Sequence, residues 1–218
     1  MDKSQKKEEL IKLKKKMEKD DLPLKEGATN LVFGSGNPDA KVMFIGEGPG
    51  YWEDQKGKPF VGNAGAFLNQ LLRDISMERE KVFITNVLHY RPPNNRDPEP
   101  EEMEAFRPYL DKMIEIISPK VVVTLGRFSM AKFVPGVMIS NVHGKPRAVQ
   151  WKGKKIIIVP MYHPAAGLRN GEIKRRTIED FKIIPEILAD PEAFSKSEKD
   201  AKEKLKEADK GICQMQLI

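Results

Sequence analysis

Four short apolar runs set the frame of this 218-residue chain: KVMFIGE (41–47), KVFITNV (81–87), KVVVTLG (120–126) and KKIIIVPM (154–161). Each is rich in β-branched residues and apolar at consecutive positions. That pattern predicts strands covered on both faces. Helical spacings lie between them. Phe67, Leu68, Leu71 and Leu72 mark a helix over 63–75, and Phe106, Leu110, Met113, Ile114 and Ile117 mark one over 100–117. A shorter helix is expected over 127–133 and a last one over about 172–188. Strands alternating with helices predict a parallel sheet sandwiched by helices.

The two ends differ from this core. Residues 3–19 are mostly Lys and Glu, with Leu10, Leu13 and Met17 at helical spacing. A calmodulin-target or membrane-surface helix has the same pattern; the expectation is a docked terminal helix with a narrow apolar stripe. The composition turns almost wholly charged from about residue 193, and the chain closes on ICQMQLI. One domain over 1–192 with a charged tail over 193–218 is the expected organisation.

Charged residues make up 32% of the chain and hydrophobic ones 39%, with a net charge of +6. That balance predicts a soluble, cytoplasmic protein, expected as a monomer. It favours an anionic partner such as nucleic acid, although a surface rich in Lys and Glu gives a similar excess. No apolar run reaches the roughly 20 residues a membrane span needs. The single cysteine, Cys213, excludes an internal disulfide and any four-cysteine metal site.

In an open parallel sheet, ligands bind beyond the carboxyl ends of the strands. The first run opens into GEGPGYWEDQKGKPFVG, with glycines at 46, 48, 50, 57 and 62. It is neither a dinucleotide fingerprint nor a P-loop: the proline interrupts the first, GK[ST] is missing for the second, and no helix is expected directly after it. Phe60 in this loop either plugs the core or offers its face to a base. Asn86 ends the second run. It is either satisfied by neighbouring backbone or reads a ligand edge with its paired acceptor and donor. Tyr-His-Pro follows the fourth run, with His163 at the strand end. Beyond it lie Leu168, Arg169 and Asn170, then Lys174, Arg175 and Arg176. An apolar wedge beside cations suits entry into a nucleic-acid duplex.

Taken together, GEGPGYWEDQKGKPFVG, ITNV followed by RPPNNRDPEPEE, and YHPAAGLRN resemble the family 4 uracil-DNA glycosylases over about residues 20–188. The family pattern carries GEAPG, an acidic pair, GxPFVG, TNVxKCRPPxNRxP and an HPS-type motif. The resemblance implies a three-layer α/β/α sandwich around a central four-stranded parallel sheet. It implies that Gly46, Glu47 and Gly48 hold the base edge and the attacking water. Phe60 would stack on uracil, Asn86 would bond its polar edge, and His163 would face its O2 oxygen. The loop from Ala165 to Asn170 would enter the duplex. Arg91, Asn94 and Arg96 either face DNA or fix their own loop. The implied reaction is hydrolysis of the N-glycosidic bond of uracil in duplex or single-stranded DNA, without a cofactor. The alternatives are a weak or inactive protein that binds deaminated bases in DNA, and a glycosylase for another base. None of the residues given a role at the base is a lysine, which argues against Schiff-base lyase chemistry.

The chain also departs from the pattern. The family usually holds an iron–sulfur cluster through four cysteines, and the matching positions here are Lys19, Leu22, Tyr90 and Phe106. The expectation is no metal, with Leu22, Tyr90 and Phe106 packed together and Lys19 at their edge. Gly48 stands where alanine is usual, and where another branch has aspartate. Tyr51 and Trp52 replace residues that are commonly small or acidic; next to the base pocket, they would either narrow it or alter which base enters. His89 stands where lysine is usual; covalent trapping of the sugar by it is not favoured, because the basic insertion that accompanies such a histidine is missing.

Overall fold

The computed structural model describes residues 1–191 and 194; the tail, with Cys213, otherwise lies outside the described residues. Its sheet has six strands: β1 (Ser35–Gly36), β2 (Val42–Gly46), β3 (Phe83–Asn86), β4 (Val121–Leu125), β5 (Arg147–Trp151) and β6 (Lys154–Met161). The spatial order is β1-β3-β2-β4-β6-β5. The four strands in the middle run parallel and correspond to the four apolar runs. Two edge strands, β1 and β5, pair antiparallel to β3 and β6. Both were missed by pattern. β1 has only two residues, and β5 is only partly buried, so neither carries the continuous apolar signal of a covered strand.

Alternate residues of each central strand serve opposite faces, as pleating requires. Met43, Ile45, Phe83 and Val122 point to one side, where α1 (Lys3–Lys19) supplies Leu10 and Met17. On the same side α4 (Pro100–Ile117) supplies Phe106, Leu110, Met113 and Ile117. Val42, Phe44, Ile84, Val121 and Val123 point to the other side. There they meet Phe67, Leu68, Leu71 and Leu72 of α3 (Asn63–Asp74), and Phe181, Ile184 and Ile187 of two C-terminal helices. The sandwich is therefore the expected one. The N-terminal helix docks: Asp2 and Gln5 form a capping box, Lys6 Nζ donates to Ile117 O at 2.9 Å, and Asp20, its C-cap, accepts from the Tyr109 hydroxyl of α4.

Several helices differ from expectation. A short α2 (Tyr51–Lys56) does follow the GEGPG turn directly, with Gly50 as its cap. α5 (Arg127–Ala131) lies where a short helix was expected, and α6 (Ile139–Val142) was not foreseen. The segment after His163, expected as a loop, is α7 (Pro164–Arg169). The expected helix over 172–188 is two, α8 (Gly171–Phe181) and α9 (Ile183–Ala189). Pro185 explains the break. It has no N–H to give the Phe181 carbonyl, but it is tolerated in the first turn of a new helix. Among the described residues no helix is long and apolar enough to cross a membrane.

Candidate active site

A cleft of about 460 Å³ opens at the carboxyl ends of β2, β3 and β6. Glu47, Gly48, Gly50, Phe60, Asn86 and His163 line it, together with Glu53, Arg96 and Arg169. A larger groove of about 910 Å³ lies at the opposite end of the sheet, around Val42, Val82 and Leu188, away from these residues.

Asn86 forms the floor. It ends β3 in register with Gly46, the last residue of β2. Only 1% of it is exposed, and its Oδ1 is buried without a hydrogen-bond partner. Such a group is rare in a folded chain and costs about 1–3 kcal/mol. Glycine at 46 makes the approach possible: a Cβ there would lie 2.7 Å from the Phe60 ring and nearer still to Asn86 Oδ1.

Phe60 is held in a strained backbone. Its φ is 52°, a region that bulky residues seldom enter. Three contacts enforce it. Arg79 Nη2 donates to Pro59 O at 2.7 Å. The Val61 and Gly62 N–H groups both donate to Glu53 Oε1, at 2.8 Å each. A side chain at Gly65 would overlap the Phe60 carbonyl. The ring that results is 95% buried and tilted 34° against His163, with centroids 5.6 Å apart. Glu53 and Arg79 are therefore site residues that pattern reading missed; the acidic pair in the family motif was the only signal for Glu53. Its neighbour Asp54 is buried and accepts from the Thr29 N–H at 2.9 Å, tying α2 to the N-terminal segment.

His163 caps α7. Its Nδ1 accepts the Ala165 N–H at 3.2 Å, which leaves the proton of the neutral ring on Nε2. Burial, and then the Arg169 guanidinium, lower its pKa to about 4. The ring is thus neutral at physiological pH with one N–H to give. Glu47 is shifted the other way: burial first, and then the Asp97 carboxylate, raise its pKa against Arg127 and Arg169.

Around the rim the cations divide. Arg96 grips Glu102 with both terminal nitrogens, one at 2.9 Å and one at 2.5 Å. This pair ties Arg96 to the first turn of α4. Arg91 donates to Asn95 Oδ1 at 2.8 Å, and Asn94 takes a φ of 54° in the same turn. Leu168 stands 47% exposed on α7 beside exposed Arg169. Lys174 lies over the Phe67 ring at 5.5 Å, and Arg175 shares Glu172 with Arg176. Asn170 lies outside α7 as the cap of α8, with Oδ1 accepting from Glu172 and Ile173. The rings of Tyr51 and Trp52 stand half exposed outside the cleft and do not narrow it. His89 is fully buried between Phe33 and Phe106, which removes it from any sugar-trapping role.

The sequence model of the uracil DNA glycosylase superfamily matches residues 33–182. The chain belongs to this superfamily. It is 46% identical over 196 residues to the type-4 uracil-DNA glycosylase of Sulfurisphaera tokodaii, covering 87% of this chain and 86% of that one. It is 47% identical over 165 residues to the type-4 enzyme of Archaeoglobus fulgidus, covering 73% and 82%. To that of Thermotoga maritima it is 47% identical over 164 residues, covering 73% and 84%. The positions that the resemblance matched to cluster cysteines are Lys19, Leu22, Tyr90 and Phe106 in this chain. Leu22, Tyr90 and Phe106 belong to one buried cluster, the two rings 6.1 Å apart, while Lys19 is exposed at the end of α1. An ammonium and three groups without a thiolate do not fit an iron–sulfur cluster.

Proposed function

We propose that this chain is a monofunctional uracil-DNA glycosylase: it receives a uracil extruded from DNA into the cleft and hydrolyses the N-glycosidic bond, leaving an abasic site. The observation that carries this reading is the buried, unpartnered amide oxygen of Asn86. A planar base with an N–H on its edge satisfies it, while the Phe60 ring covers the face of the base. A glycosylase must take the nucleotide out of the stack to reach the bond. Leu168 and Arg169, exposed at the rim, suit the place the base vacates.

Bond cleavage puts negative charge on the leaving uracil, and donors aimed at that charge are the largest expected catalytic contribution. The neutral His163 supplies one through Nε2, with its tautomer fixed by the Ala165 N–H. Glu47 at the cleft wall is suited to orient the attacking water. Burial, and then the Asp97 carboxylate, raise its pKa, and Gly48 beside it brings no acid of its own, so leaving-group stabilisation outweighs base catalysis. The packing of Leu22, Tyr90 and Phe106 takes over the structural duty of the cluster that the family resemblance implies.

The test is single-turnover incubation with oligonucleotides containing uracil, hypoxanthine, xanthine or no lesion, followed by alkali. Alkali-dependent cleavage at uracil supports the reading. A lesion-specific complex without cleavage would replace it with a binding protein.

A further inference from the structure

We infer that Tyr51 and Trp52 form a stacking platform for the unpaired nucleobases next to the extruded nucleotide, so that the protein grips single-stranded DNA at the mouth of the cleft. The inference rests on the reading of the cleft as a site for a base in DNA. Both side chains belong to α2, and they stand 50% and 54% exposed. Among the described residues the other large apolar side chains so exposed are Met1, Ile11, Met138 and Leu168, none of them aromatic. The two rings meet edge to face, with centroids 5.1 Å apart and planes at 77°.

Three features specify the occupant. The first is charge. Arg91 lies 5.3 Å from the centre of the Tyr51 ring, and Lys56 lies 5.8 Å from that of Trp52. Aromatic faces interleaved with cations match a strand whose bases stack while its phosphates are neutralised. The second is continuity. Gly50 and Glu53, which flank the pair in sequence, line the cleft. Arg91 is bonded to Asn95, which also lines the cleft. The Trp52 ring reaches within 3.5 Å of the position a Gly62 Cβ would take, next to the Glu53-held turn that aims Phe60. The third is orientation. Two rings at right angles cannot both join one straight stack. They suit a strand that turns sharply where a nucleotide has left it.

Stacking of a base on an aromatic side chain is tolerant of sequence, because every base has a π face. The platform therefore raises affinity for unpaired DNA without selecting the lesion. Removal of either ring is expected to raise KM for single-stranded uracil DNA on the order of tenfold, with a smaller change on duplex.

The chain has two tryptophans, so the Trp151→Phe variant leaves Trp52 as the sole reporter. Titration of that variant with uracil-free oligothymidylate should quench Trp52 emission saturably, and addition of Tyr51→Ala should weaken this binding on the order of tenfold. In parallel, Tyr51→Ala and Trp52→Ala in the otherwise native chain are compared for KM on single-stranded and duplex uracil DNA. Unchanged emission, or single-strand KM values within about twofold of the parent, would overturn the platform. Quenching without excision of any lesion would keep the platform and remove the glycosylase reading instead.

Discussion

Gly46 and Asn86 are register partners on the last rung between β2 and β3, and the Asn86 amide oxygen occupies the space a side chain at Gly46 would need. The backbone gap and the polar group are thus one device. It leaves the amide oxygen buried without a partner, which costs stability until a ligand supplies a donor. Asn86→Leu, close in size but apolar, should therefore stabilise the free protein by about 1 kcal/mol. It should also cut uracil excision by at least about 100-fold, an effect worth about 2.7 kcal/mol. Thermal unfolding and single-turnover rates measure the two effects. A variant that is destabilised and still active would contradict both halves of the argument.

Glu53 does not touch a base in this account; it positions Phe60 by accepting two backbone N–H groups with one oxygen. Glu53→Ala strands both donors in a partly buried turn, a loss of about 2 kcal/mol or more. Glu53→Gln keeps an acceptor oxygen and should recover most of that stability. The informative readout is KM: if the turn sets the ring, Ala raises KM for uracil DNA, and Gln restores it toward the parent.

The His163 assignment predicts an unusual acid profile. A folded pKa of about 4 keeps the imidazole neutral well below the usual histidine range. Protonation would place a second N–H on Nδ1, opposed to the Ala165 N–H that it now accepts. The His163-dependent part of the single-turnover rate should thus hold steady through pH 6.5 and fall only as pH drops toward about 4. An inflection near 6.5 that disappears in His163→Ala would refute the shift.

With Leu22, Tyr90 and Phe106 in one buried apolar cluster and no cysteine among them, stability should not depend on iron. The purified protein should lack absorbance near about 400 nm, and chelators should leave its melting temperature unchanged. Phe106→Ala should cost about 3–5 kcal/mol, since the ring is fully buried.

Much of this arrangement was legible in the chain. The central strands are buried on both faces, so Val42–Ile45 or Val121–Val123 read as unbroken apolar runs. Gly46, Asn86 and His163 could be placed because each ends or follows such a run, and the carboxyl ends of parallel strands converge. Glu53 and Arg79 could not. A carboxylate eight residues before Val61, or a guanidinium twenty residues after Pro59, looks like ordinary surface charge until the fold brings it to the turn. The α2 helix was hidden for a related reason: Gly-Pro-Gly reads as a loop, yet Gly50 serves as its cap. His89 misled in the opposite direction. Its place where lysine is usual raised a sugar-trapping role, whereas the segment after β3 buries it between Phe33 and Phe106.

That burial gives the last prediction. His89 is fully enclosed; Nδ1 lies 3.1 Å from Val32 O, and Nε2 has no partner. Burial is the main cause of its lowered pKa, about 4 against an ordinary value of 6.5. Between those values the unfolded chain binds a proton that the folded chain excludes, so stability falls as pH drops through this window. The contribution is complete above 6.5 and gone below about 4, and the separation corresponds to about 3 kcal/mol. His89→Leu removes the titrating group. Its stability should decline less between pH 7 and 4 than that of the parent, by up to this amount, as measured by urea unfolding at several pH values. Because His163 titrates in the same range, the comparison should be repeated in a His163→Ala background. An unchanged pH slope in both backgrounds would mean that His89 takes up its proton without unfolding the protein.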